Sequence, residues 1–108
     1  LTENAKNMGY RLMRGMTKIQ KKYPKTLGEV RGKGLMVGLE LVRDETITDR
    51  TPDLDATNKI MEETKKRGLL IGRGGLYGNC LRIAPALNIS SDDIDEAIQI
   101  VAESFGTL

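Results

Sequence analysis

The chain has 108 residues, room for one domain with a modest core, and with 39% hydrophobic residues, no Trp and a single Phe it must build that core from Ile, Leu, Val, Met and Ala. A net charge of +2 argues neither for nor against nucleic acid, but the lack of histidine removes the usual general base. The lone cysteine, Cys80, excludes a disulfide framework, leaves no paired metal spacing, and fits a reducing, intracellular compartment. No apolar run approaches the roughly 20 residues of a membrane-spanning helix, so no membrane is an expected partner; without ligand spacing no metal is expected either, and no nucleic acid is the expected partner of the full protein.

The charge is unevenly spread. Residues 1–34 hold nine Lys/Arg against two Asp/Glu, and residues 35–108 hold eight against thirteen. The basic third reads either as a solvated helix face or as a patch for an acidic partner or nucleic acid. The chain opens without a methionine and already inside a helical pattern, so it is expected to be a piece of a longer chain.

Leu1, Ala5, Met8, Leu12, Met16 and Ile19 recur at spacings of three or four, which predicts a helix over Thr2–Lys22 that ends before Pro24. Gly28, Gly32 and Gly34 punctuate the next stretch, in which Arg31–Gly34 reads as a turn or bulge leading into a strand whose buried face carries Leu35, Val37, Leu39 and Leu41. A loop follows, and Thr51 with Pro52 predicts an N-cap and first helical residue. The inner face of that helix is Leu54, Thr57, Ile60, Met61 and Thr64, and Gly68 lies just past its basic end. Leu69–Gly72 reads as a short strand, Arg73–Asn79 as a glycine-rich loop, and Cys80–Leu87 as a strand broken at Pro85. Ser90 and Asp93 have capping-box spacing ahead of a helix that packs Ile94, Ala97, Ile98, Val101 and Phe105 and stops at Gly106.

Nothing divides residues 1–108, so a single domain is expected. The order helix, strand, helix, strand, strand, helix predicts an α+β two-layer sandwich: a small, mostly antiparallel sheet with helices on one face. A ferredoxin-like split βαβ is its near relative.

Few residues offer chemistry. Lys33 stands between two glycines and reads as an exposed lysine. The acids Asp92, Asp93, Asp95 and Glu96 favour a helix start, and Glu62 and Glu63 are adjacent on a helix and cannot converge on one ligand. Tyr77, on the glycine loop, is placed to close over a ligand. Arg82 is sharper: alternation sets it on the strand face opposite Leu81 and Ile83. A guanidinium there either reaches water as a surface ion pair or receives an anion, and its planar fork suits a carboxylate.

Three collinear stretches resemble the C-terminal small domain of class III aminotransferases, pyridoxal-phosphate enzymes of fold type I that include ornithine, 4-aminobutyrate and alanine–glyoxylate aminotransferases. They are VRGKGLMVGLEL (30–41), LLIGRGGLYGNCLRIAPAL (69–87) and SSDDIDEAIQIVAESF (90–105), and LTENAKNMGYRL is similar to the family's opening helix with its E-N-A. The GRGGLYGN loop leans to the alanine–glyoxylate aminotransferase 2-like branch. The resemblance implies that Arg82, in L-R-x-x-P, binds the α-carboxylate of amino- and keto-acid substrates. It implies that Arg31 and Gly34, in R-G-x-G, are mainly structural. Ala84 stands where many members have proline.

The resemblance further implies that pyridoxal phosphate is held by a large domain of the same chain, which carries the cofactor lysine. This domain then has no catalytic, cofactor-binding or metal-binding residue of its own, binds no cofactor alone and is inactive alone. A homodimer, in the cytoplasm or mitochondrion, is the expected full-length assembly. The alternative is a stand-alone α+β interaction or regulatory module that uses its basic helix.

Overall fold

The computed structural model describes residues 2–43 and 51–108. Helix α1 spans Glu3–Lys22, capped by Thr2, whose hydroxyl accepts from the Ala5 N–H, and closed by Lys21 and Lys22 at its negative end. Its buried face is Ala5, Gly9, Leu12, Gly15, Met16 and Ile19. The expected stripe is therefore present from Ala5 onward, with Met8 half-buried; Leu1 lies outside the described residues.

Strands β1 (Leu27–Lys33) and β2 (Met36–Arg43) form an antiparallel hairpin closed at Gly34, whose φ of 61° suits a two-residue turn. The sequence reading had no β1. Its burial runs from buried Leu27 through half-buried residues to exposed Arg31–Lys33, without the alternation of a half-buried strand. It is an edge strand; of the turn or bulge expected at Arg31–Gly34, the turn is present at Gly34, while Arg31–Lys33 belong to the strand and the register irregularity lies between Leu27 and Glu29. Strand β2 alternates as expected, with Val37, Leu39 and Leu41 fully buried.

Strand β3 (Thr51–Pro52) pairs with the end of β2, Val42 with Pro52 and Arg43 with Thr51. This corrects the expected cap. Helix α2 spans Leu54–Lys66, and Asp53 caps it by accepting from the Ala56 N–H at 2.9 Å, so Thr51 and Pro52 are extended residues before it. Aspartate is a stronger cap than threonine, and proline is tolerated in a strand at the sheet margin. The rest of the loop expected there, residues 44–50, lies outside the described residues. Ala56, Thr57, Ile60, Glu63 and Thr64 are buried, whereas Leu54, on the first turn, is exposed.

Strand β4 is Gly72–Gly74, not Leu69–Gly72. The Leu69 N–H still closes on Thr64 O at the end of α2, so pairing begins only once the chain has left the helix. Strand β5 is Cys80–Ile83, and helix α3, Ser91–Phe105, is capped by Ser90 accepting from the Asp93 N–H. The four main strands run β1-β2-β5-β4, every pair antiparallel. The three helices cover one face, closing a core with Phe105, Leu12, Met16, Leu39 and Leu81 fully buried. The fold is the expected α+β sandwich, and among the described residues the other face of the sheet has no helix on it.

Ion pairs tie the helices. Arg11 grips Asp95 through two hydrogen bonds of 2.7 Å, which join α1 to α3 and hold the Asp95 carboxyl below its usual range. Glu63, largely buried at the end of α2, accepts from Arg67 at 2.8 Å, with Lys59 and Lys66 within 3.7 Å, and Arg67 reaches on to Glu103 of α3. The Arg67 hydrogen bond, against partial desolvation, holds the Glu63 carboxyl below its usual range. A lowered folded pKa gives stability that is present above the unfolded value of about 4.3 and is lost as pH falls through the folded value. Glu63→Gln is therefore expected to lower the urea midpoint at neutral pH and to flatten its fall at more acid pH. Parallel pH curves for the two proteins would assign the acid loss elsewhere.

Candidate functional site

The open sheet face is built by alternation. On β5, Leu81 and Ile83 are buried, and Cys80 and Arg82 point the other way. Register then sets a row across the sheet: Arg31 pairs with Gly38, and Gly38 with Arg82. Neighbouring strands lie about 4.8 Å apart, so two arginines flank a strand position that has no side chain. A depression of about 310 Å³ results, lined by Arg31, Lys33, Met36, Gly38, Cys80 and Arg82.

The two arginines are in different states. Arg31 faces Glu29 and Glu40, each at 3.9 Å, and donates to Cys80 Sγ at 3.5 Å. The Arg82 guanidinium makes no ion pair or hydrogen bond with any described residue, and the residue is exposed. Of the two alternatives left open for it, the surface ion pair has no partner in the described chain.

The β4–β5 hairpin that carries Arg82 is firmly held. Gly75 and Gly78 turn it at φ of 84° and 68°. Arg73 donates to Gly78 O at 2.8 Å and also to Asn58 Oδ1 of α2. Buried Asn79 donates its amide to Leu41 O and accepts the Leu41 N–H on its own carbonyl, each at 2.9 Å, which bolts the hairpin to β2. Asn4 of α1 donates to Leu87 O at 3.0 Å and Ile89 O at 3.1 Å, fixing the chain as it leaves β5. Neither asparagine stands out by periodicity; Asn4 had a signal only as the middle residue of the E-N-A pattern.

The other candidates do not join this site, Lys33 excepted, which stands exposed at its rim. Tyr77 and Leu76 form the exposed hairpin tip. Glu63 is taken up by its cations, Asp95 by Arg11, and no group of three acids or sulfur ligands among the described residues is arranged to hold a metal. A larger cavity, about 530 Å³, lies between α1 and α3 with Arg14, Lys18 and Lys22 at its edge. The one carboxylate that lines it, Asp95, is already taken up by Arg11, whereas the smaller depression holds the unpaired fork of Arg82.

A family profile described as "Aminotransferase class-III" matches residues 1–105. The chain belongs to the class III aminotransferases. It is 39% identical, over its whole length, to "Alanine--glyoxylate aminotransferase 2 homolog 2, mitochondrial" of Arabidopsis thaliana, covering 22% of that protein. It is 36% identical to "Alanine--glyoxylate aminotransferase 2, mitochondrial" of Homo sapiens, over 93% of this chain and 19% of the human one. A Bacillus anthracis aminotransferase superposes with a TM-score of 0.85 at 35% identity, covering 98% of this chain and 24% of that one. The branch to which the glycine loop points is thus the one the Arabidopsis and human relatives are named for. The chain spans about a fifth to a quarter of the length of each, and no described helix is long and apolar enough to cross a membrane.

Class III aminotransferases work with pyridoxal phosphate, whose aldehyde needs a lysine amine kept neutral by its surroundings. All nine lysines of this chain are exposed, and none lies in an enclosed cleft. These residues do not fit the aldehyde end of the cofactor, and no step through it is assigned to them.

Proposed function

We propose that this chain is the small C-terminal domain of a pyridoxal-phosphate transaminase, and that Arg82 fixes the α-carboxylate of its amino- and keto-acid substrates. The observation that carries this reading is an unpaired guanidinium on an uncovered sheet face, within the L-R-x-x-P stretch Leu81–Pro85. A carboxylate accepts two parallel N–H bonds from such a fork, and this holds two atoms of the substrate at once. Orientation of that kind removes much of the entropic part of a barrier, because the bond to be broken is then presented at one angle. The remaining three-quarters or so of a relative's length supplies the cofactor domain, which closes over the open face. Arg31, held by two glutamates, shapes the floor. The full protein works as a homodimer inside the cell, and the two mitochondrial relatives together with the single cysteine support that setting.

The test is direct. The complete reading frame that contains this segment is expressed, loaded with pyridoxal phosphate and offered α-amino acids with an α-keto acid. Amino transfer by the complete protein, and none by the 108-residue chain, is expected. An isolated chain that forms a stable lysine adduct with pyridoxal phosphate would overturn the claim that it is inactive alone. A complete protein that transfers no amino group from any donor would overturn the whole reading.

A further inference from the structure

The Arg82 side chain does not stand straight off the sheet. Its backbone pairs with Gly72, yet its guanidinium lies over Gly74, one row further along β4. A methyl group on Gly74 would sit 2.5 Å from Nη2, 2.9 Å from Cζ and 3.0 Å from Nε of Arg82, and these are the three heavy atoms nearest to it. The same methyl on Gly72 would meet nothing closer than Arg82 O at 3.8 Å, an ordinary contact. Gly74 is not among the glycines with positive φ, so its backbone is open to any residue. What excludes a side chain at position 74 is the guanidinium above it.

We propose that Gly74 is the positioning residue for Arg82: the bare backbone of β4 is the bed on which the guanidinium lies, and that bed sets the direction in which the fork meets a substrate carboxylate. This rests on reading Arg82 as the carboxylate clamp. The obstruction is the far end of a flexible side chain, so a methyl group at position 74 moves the fork and leaves the strand, the charge and the core in place. Van der Waals contact requires a shift of about 1 Å, and a misplacement of that size costs up to about a hundredfold in a well-oriented reaction.

The experiment uses the complete enzyme and two glycines of one strand. Gly74→Ala is expected to lower kcat/KM for an α-amino acid donor by about ten- to a hundredfold, with a raised KM. Gly72→Ala, which makes the same chemical change two residues away, is expected to stay within about twofold of the parent. In an Arg82→Ala background, adding Gly74→Ala is expected to change nothing further, because the group it displaces is gone. A loss of equal size in both backgrounds would overturn the assignment, as would failure of Gly74→Ala to fold, since the methyl would then be striking backbone. A silent Gly74→Ala beside a damaging Arg82→Ala sinks the Gly74 assignment alone. A silent Arg82→Ala sinks the carboxylate clamp, and the assignment with it.

Discussion

Arg82→Ala in the complete enzyme is expected to cut kcat/KM for α-amino acids by about 30-fold to several thousandfold, the range that follows from losing a charged bidentate contact of about 2–5 kcal/mol. Among the described residues nothing nearby can substitute. Lys33 is a single point charge at the β1–β2 turn, and Arg31 is held by Glu29 and Glu40. Arg82→Lys tests the geometry separately from the charge. Lysine keeps the positive charge but lacks the planar fork, so it is expected to recover only part of the loss. Lysine matching arginine would mean that the site needs charge and no particular direction. Steady-state kinetics with one donor and one acceptor decide both points, and an Arg82→Ala enzyme with unchanged kcat/KM would remove the carboxylate role altogether.

The sequence made the placement of Arg82 legible: alternation puts it away from Leu81 and Ile83, and the L-R-x-x-P resemblance is what proposes a chemistry for it. The helices were legible where caps and periodicity agree, as at Ser90 ahead of Ile94, Ala97 and Val101. What escaped depends on distant parts of the chain. Strand β1 has no alternation, because as an edge strand it is buried at one end only. The start of β4 is set by where Gly72 meets Arg82, not by the apolar Leu69–Ile71 before it. The α2 cap was misplaced because Thr51–Pro52 is a plausible local start, and only pairing with β2 reveals those residues as extended. Gly74 was read as part of a flexible loop, since its meaning lies in a side chain eight positions later.

Gly9→Ala is expected to destabilise the domain, opposite in sign to the usual effect. In an ordinary helix interior this change stabilises by roughly 0.5–1 kcal/mol, because alanine loses less backbone freedom on folding. Here the α1 backbone rests on the β1–β2 turn, and a methyl on Gly9 would overlap the carbonyl oxygen of Gly34. That oxygen belongs to backbone, and Gly34 is held in its turn at φ 61°, so neither partner gives way as a side chain would. Overpacking of this kind typically costs about 1–3 kcal/mol, which in a domain of about 100 residues corresponds to a melting point lowered by roughly 4–20 °C. Gly15→Ala is the natural comparison. The three atoms nearest its methyl, at 2.5–2.9 Å, all belong to the Ile98 side chain and none to backbone, so the loss there is expected to be smaller. Thermal unfolding followed by circular dichroism ranks the two, and a Gly9→Ala domain that melts higher than the parent would show that α1 is not seated on this turn. The seat bears on the site as well: lifting α1 tilts the hairpin whose second strand carries Gly38, the position beside Arg82, so the same substitution in the complete enzyme is expected to raise KM for an α-amino acid while the protein remains folded.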